Sequence, residues 1–88
     1  MAKRRSFLVI GLGRFGTSLA EALMEKGHEV MGVDADTVVV QRMSAHLTHT
    51  MVMEVVSEEA LSSLGIGNFD AVIVATGGNF ESSILLTL

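Results

Sequence analysis

The chain has 88 residues, enough for one small domain that buries roughly 60–65% of its unfolded surface. A net charge of −4, no Tyr or Trp and no basic stripe argue against a nucleic-acid partner. The absence of cysteine excludes disulfides, thiolate zinc sites and a cysteine nucleophile. Hydrophobic residues make up 49% of the chain and mean hydropathy is +0.50; this fits a parallel sheet buried on both faces. No apolar run approaches the roughly 20 residues of a membrane span. The basic start, Lys3-Arg4-Arg5, precedes only four apolar residues and then glycine, so it is read as a solvated terminus and not a signal peptide. A cytoplasmic location fits these features.

The first element is Phe7-Leu-Val-Ile10, which runs into Gly11, Gly13 and Gly16, spaced G-x-G-x-x-G. Beyond it the apolar period turns helical, with Phe15, Leu19 and Leu23 in step and Ala22 and Met24 flanking. The pattern predicts a buried strand, a tight turn and a helix from about Arg14 to Lys26, stopped by Gly27. The first glycine permits the turn, the second lets backbone approach a pyrophosphate, and the third lets the helix lie close to the strand. The helix start then offers unpaired N–H groups and a partial positive charge to phosphate. Arg14 is placed to reach a phosphate or a neighbouring chain, because arginine binds phosphate oxygens bidentately and keeps its charge. An exposed first-turn arginine is the plainer alternative.

Strand two, Glu29–Asp34, ends in an acid eighteen residues past Gly16. An acid there accepts hydrogen bonds from both ribose hydroxyls of an adenosine and repels a 2′-phosphate, which disfavours NADP. The alternative is that Asp34 only starts the next helix. Helix two is expected after an Asp36 cap, with Val40, Met43 and Leu47 at helical spacing. Val38-Val39-Val40 prefers a strand by propensity, but a parallel crossover requires the helix. Strand three is His49–Met53, followed by Glu54. Ser57 caps a short helix with Glu58 and Glu59 in its first turn and Leu61 and Leu64 facing inward, and Gly65 stops it. Asn68-Phe69-Asp70 leads into strand four, Ala71–Ala75, which carries no charge and reads as fully buried. Thr76–Asn79 is the following loop, and a fourth helix is expected from near Phe80, with Ile84, Leu85 and Leu88 at helical spacing.

The alternation predicts an α/β fold: a Rossmann-like, doubly wound parallel sheet of order 3-2-1-4, truncated after the fourth strand. The far edge of strand four is then an apolar pairing hazard, which a missing segment or another subunit is expected to cover. The crevice opens at the carboxyl ends of strands one and four, where the loops Gly11–Gly16, Asp34–Asp36 and Thr76–Asn79 meet. Glu54 lies farther out, on the adenine side of Asp34. Thr76, Gly77 and Gly78 approach the ribose-phosphate or make a plain turn with a cap at Asn79. His28, His46 and His49 lack a metal-ligand spacing, and Met43, Met51 and Met53 read as core filler. No nucleophile with a base, and no proton donor for hydride chemistry, is in view. The site is one that binds and does not catalyse.

Three stretches carry a family resemblance: Val9 to Gly16, Gly27 to Asp34, and Leu64 to Gly77. They resemble the N-terminal nucleotide-binding half of RCK (TrkA-N) domains, in particular the cytosolic subunits of Ktr/Trk-type bacterial potassium uptake systems. The Arg-Phe between the glycines and the Asn-Phe-Asp before strand four make the resemblance more specific than the glycines alone, and it covers nearly everything from Phe7 to Leu88. It implies that residues 1–88 are the N-terminal part of such a domain, with the C-terminal part absent. It also implies a regulator and not an enzyme. Such subunits bind ATP, ADP or NAD(H) and assemble as homo-oligomers, as dimers and then a ring, under a membrane potassium transporter. They are cytoplasmic, peripheral to the inner membrane through that partner, without inserting into the membrane. Carried over by position, Gly11, Gly13 and Gly16 hold phosphates, Asp34 holds the ribose, and Arg14 senses the terminal phosphate. Phe15, Ala35, Asp36, Glu54, Val55, Ala75, Thr76 and Gly77 complete the expected nucleotide contacts. After strand three the family often carries a small residue, an acid, alanine and a hydroxyl residue; here the run is Met53-Glu54-Val55-Val56. The rival reading is the front half of the NAD-binding domain of a dehydrogenase, and a third is an assembly module with a degraded pocket.

Overall fold

The computed structural model describes residues 3–54, 57–75 and 83–86. Strand β1 (Ser6–Ile10) leads through the glycine loop to helix α1 (Arg14–Glu25), and β2 (Glu29–Asp34) leads to α2 (Thr37–Met43). Next come β3 (His49–Val52), α3 (Glu58–Ser63), a 3-10 turn over Ile66–Asn68, β4 (Ala71–Val74) and β5 (Ser83–Leu86). The sheet order is β3-β2-β1-β4-β5. β1 pairs in parallel with β2 on one side, Val9 opposite Gly32, and with β4 on the other, Leu8 opposite Val72. β2 pairs in parallel with β3, Val33 opposite Met51. The four parallel strands thus have the order 3-2-1-4 expected from the alternation of elements.

Alternate strand residues face opposite layers. Val9, Val30 and Ile73 pack under α1 and α2 with Leu12, Ala20, Met43 and Leu47. Leu8, Ile10, Val33 and Val72 face the other way, toward Leu61, Leu64, Ile66 and Phe69. Each fully buried Leu, Ile or Val side chain contributes about 1.5–3 kcal/mol. The two layers are unequal. The α1/α2 side holds wholly buried helix residues, whereas α3 contains none and covers its side with half-buried groups.

Local signals set the helix boundaries. The Asp36 side chain accepts the Val38 N–H at 2.9 Å, and Ser57 Oγ accepts the Ala60 N–H at 3.1 Å, so both expected caps form. The β-branched Val38-Val39-Val40 lies within α2, because the crossover and the burial of Val40 and Met43 outweigh strand propensity. α1 ends at Glu25, ahead of Gly27.

Four details differ from the expectations. The 3-10 turn at Ile66–Asn68 had no signal in the apolar period. Phe15 is 55% exposed, because the small residues Gly16 and Ala20 form the line along which α1 meets the sheet. Met43 is core as expected, but Met51 is 42% exposed, because β3 is a sheet edge with no strand beyond it. Ser83–Leu86 do not continue a fourth helix from Phe80; they form β5, antiparallel to β4, with Ile73 opposite Ile84. The edge of β4 exposes backbone N–H and C=O groups on an apolar strand, and pairing satisfies them within the chain. A separate cover for that edge is therefore not needed at Ala71–Val74. The expected loop Thr76–Asn79 lies outside the described residues.

The amino ends of β1 and β4 are clamped by Asp70. Its Oδ2 accepts the Ser6 N–H at 2.8 Å, Ser6 Oγ lies 3.3 Å from the same oxygen, and the Asp70 N–H donates to Ser6 O at 2.8 Å. The bond from the Ser6 N–H holds the Asp70 carboxyl below its ordinary value, helped by the Ser6 hydroxyl and by the charges of Arg5 and Lys3. A carboxyl lowered in the folded state contributes stability above its unfolded pKa and loses it as the pH falls through the folded value. Asp70→Asn is therefore expected to melt lower than the parent at pH 7. The gap should narrow as the pH falls below the ordinary carboxylate range; thermal melts from pH 7 to 2.5 check this.

Candidate functional site

The carboxyl ends of β1, β2 and β3 converge on the glycine loop. Gly11 turns there with φ of +99°, a conformation that disfavours any side chain. Its N–H donates to Val33 O at 2.8 Å, so the turn is stitched to the end of β2. A Cβ at Gly16 would fall on the carbonyl oxygen of Gly11, which is backbone and cannot yield. Close contact between helix and turn requires glycine at 16. Gly13 is different: its φ is −76°, and a Cβ there would meet no described residue within 4 Å. Among the described residues nothing demands glycine at 13.

Gly13 is the N-cap of α1 and offers no side chain to cap it. Among the described residues the amides of Arg14, Phe15 and Gly16 donate no hydrogen bond. The first turn holds no acid and begins with an exposed arginine that makes no ion pair among the described residues. An uncapped helix start with a cation beside it is suited to an anion.

Asp34 stands at the tip of β2, half-buried. Its Oδ2 accepts the Leu12 N–H at 2.7 Å, and its Oδ1 accepts the Asp36 N–H at 2.9 Å. Each carboxylate oxygen keeps acceptor capacity for a further donor. Beside it lies a cleft of about 180 Å³ lined by Ile10, Gly11, Val33, Asp34, Ala35, Met53 and Glu54. The cleft is apolar at its base and carries two carboxylates at its rim.

The expected residues therefore fall into four groups. Gly11, Asp34, Ala35 and Glu54 meet at the cleft. Gly13, Arg14 and Phe15 are exposed at the start of α1, with Gly16 buried beneath them. Asp36 is engaged as the α2 cap and does not line the cleft, and Ala75 donates its N–H to Ile10 O at 2.7 Å, closing β4 onto β1. Val55, Thr76 and Gly77 lie outside the described residues. Two participants carry no motif signal. Met53, read as filler, lines the cleft, and Leu12 bonds Asp34 through its backbone, which residue type does not reveal. Among the described residues no three His, Asp or Glu side chains are grouped to hold a metal ion, and no helix is long and apolar enough to cross a membrane.

Residues 7–88 match the family model described as the TrkA-N domain. The chain is 45% identical over 86 residues to Ktr system potassium uptake protein A of Bacillus subtilis (strain 168), covering 98% of this chain and 39% of that protein. It is 46% identical over 85 residues to Ktr system potassium uptake protein C of the same organism, covering 97% of this chain and 38% of the relative. Identity to Ktr system potassium uptake protein A of Vibrio alginolyticus is 33% over 84 residues, 96% of this chain and 38% of that protein. The chain thus spans about two fifths of the length of these relatives.

The two glycines at 13 and 16 are expected to separate in a stability assay. Gly16→Ala drives a methyl into backbone and should cost about 2–3 kcal/mol or prevent folding. Gly13→Ala should leave stability within about 1 kcal/mol, since a slightly poorer cap is offset by a less flexible unfolded chain. Urea unfolding of the two variants checks this.

Proposed function

We propose that this chain, which belongs to the TrkA-N domain family, is a nucleotide-sensing regulatory module of a potassium transport system. It binds an adenine nucleotide, ATP or ADP with NAD(H) as the further candidate, and acts without catalysing a reaction. The observation that carries the reading is the glycine at 13, which no described residue crowds, at an uncapped helix start beside the Asp34 cleft. A glycine kept where the chain leaves room is what close approach of a diphosphate to backbone requires. The α1 amides and Arg14 would hold phosphate, Asp34 the ribose hydroxyls, and the walls formed by Met53 and Ala35 the base. Two rim carboxylates, Asp34 and Glu54, would repel a 2′-phosphate, so NADP(H) is the disfavoured ligand. Val55, Thr76 and Gly77 belong to the proposed contact set by position in the sequence.

Relatives named as Ktr system potassium uptake proteins support the transport context. By that analogy the module is the N-terminal part of a longer regulatory domain. It forms homo-oligomers, as dimers and then a ring, and docks on a membrane potassium transporter from the cytoplasmic side. Gating follows if two nucleotides bind two shapes of the assembly with different affinity, because a ligand shifts an equilibrium only by its differential affinity.

Calorimetric titration with ATP, ADP, NADH, NAD and NADPH tests this. Adenine nucleotides are expected to bind and NADPH to bind least. Asp34→Ala should weaken binding roughly 10- to 100-fold, as expected for loss of a charged acceptor. Gly13→Ala should weaken ADP at least about 10-fold at nearly unchanged stability. Arg14→Ala should abolish the difference between ATP and ADP. A strong NADH preference with hydride transfer to an added substrate would instead make this a dehydrogenase fragment. Absence of binding at millimolar nucleotide would sink the nucleotide reading.

A further inference from the structure

Leu12, the residue between the first two glycines, is held at three independent points. Its N–H donates to Asp34 Oδ2 at 2.7 Å. Its carbonyl oxygen accepts the Thr17 hydroxyl at 2.9 Å, a bond that reaches back from the first turn of α1. Its side chain is 1% exposed and sits over Gly32 in β2. A Cβ at Gly32 would lie 2.9 and 3.0 Å from the two Leu12 methyls and 2.7 Å from a Leu47 methyl. The absence of a side chain at 32 is what seats Leu12.

These contacts tie the ends of two elements to one residue of the loop. Asp34 is fixed on β2 and Thr17 on α1, and both grip the Leu12 backbone. The sugar-side carboxylate and the phosphate-side helix start are therefore joined through a single peptide segment. A movement of Leu12 changes the distance between the two.

We propose that Leu12, clasped by Thr17 and seated on Gly32, sets the spacing between the ribose and phosphate halves of the nucleotide site, with Thr17 as a positioning residue that does not touch the ligand. The inference rests on the nucleotide reading given above. Ligands that use both halves depend on the clasp; a ligand that uses only the sugar and base does not. The Thr17 hydroxyl carries the effect, so serine should replace threonine and valine, its near isostere, should not.

The test uses the full 88-residue chain. ADP is titrated by calorimetry and adenosine by NMR at millimolar concentration, against the parent, Thr17→Val, Thr17→Ser and Gly32→Ala. Thr17→Val is expected to weaken ADP about three- to tenfold, the effect of one neutral hydrogen bond, while adenosine changes less than about twofold. Thr17→Ser should restore ADP to within about twofold of the parent. Gly32→Ala should show the same selective loss with both backbone bonds to Leu12 chemically possible. It remains informative if Thr17→Val folds poorly. Unchanged ADP affinity in a folded Thr17→Val or Gly32→Ala overturns the clasp, as does equal loss for ADP and adenosine, or failure of serine to rescue. A parent chain that binds no ADP overturns the nucleotide reading, and the clasp with it.

Discussion

The carbonyl oxygen of Gly11 occupies the space that a side chain at position 16 would fill. This one close approach sets where α1 can lie. It brings Ala20 down onto the sheet and lets Val9, Val30 and Met43 close around it. It also fixes the start of α1, whose first-turn amides donate no hydrogen bond among the described residues. Packing and the placing of the helix start are thus consequences of the same contact. A bulkier residue would lift the helix, open the core beneath it and turn the amides away together.

The two ends of the parallel strands have separate duties. At the carboxyl end lie the turn, the cleft and the acids at its rim. At the amino end the Asp70–Ser6 clamp joins β4 to β1, while the Arg5 N–H donates to His28 Nδ1 at 3.0 Å and the His28 ring meets Phe7 edge-on at 5.3 Å. These contacts join neighbouring elements where no ligand is expected. His28, which shares no metal-ligand spacing with His46 and His49, belongs to this seam.

The parallel order was legible because strand and helix patterns alternate strictly, and right-handed crossovers leave few arrangements for such a chain. The caps at Asp36 and Ser57 were legible because capping is a local matter of one side chain and one amide. Exposure was harder to read. Met51 looks like any apolar strand residue until the order puts β3 at the rim, and Phe15 fits a helical period that Gly16 and Ala20 redirect. The antiparallel pairing of Ser83–Leu86 depends on an unsatisfied neighbour, which no short window contains. In the site, the glycine spacing and Asp34 were readable from type and position. The bond from Leu12 to Asp34 was not, since it is made by an amide that every non-proline residue carries.

The unequal layers on the two faces of the sheet carry a consequence for motion. α3 is six residues long and buries none of its own residues fully, yet its flank covers Leu8, Ile10, Val33 and Val72, all at 1% exposure or less. Opening that flank would wet four wholly buried side chains at about 1.5–3 kcal/mol each, so neither face of the sheet opens cheaply. The thin cover of α3 is therefore held down by the strands beneath it more than by its own burial.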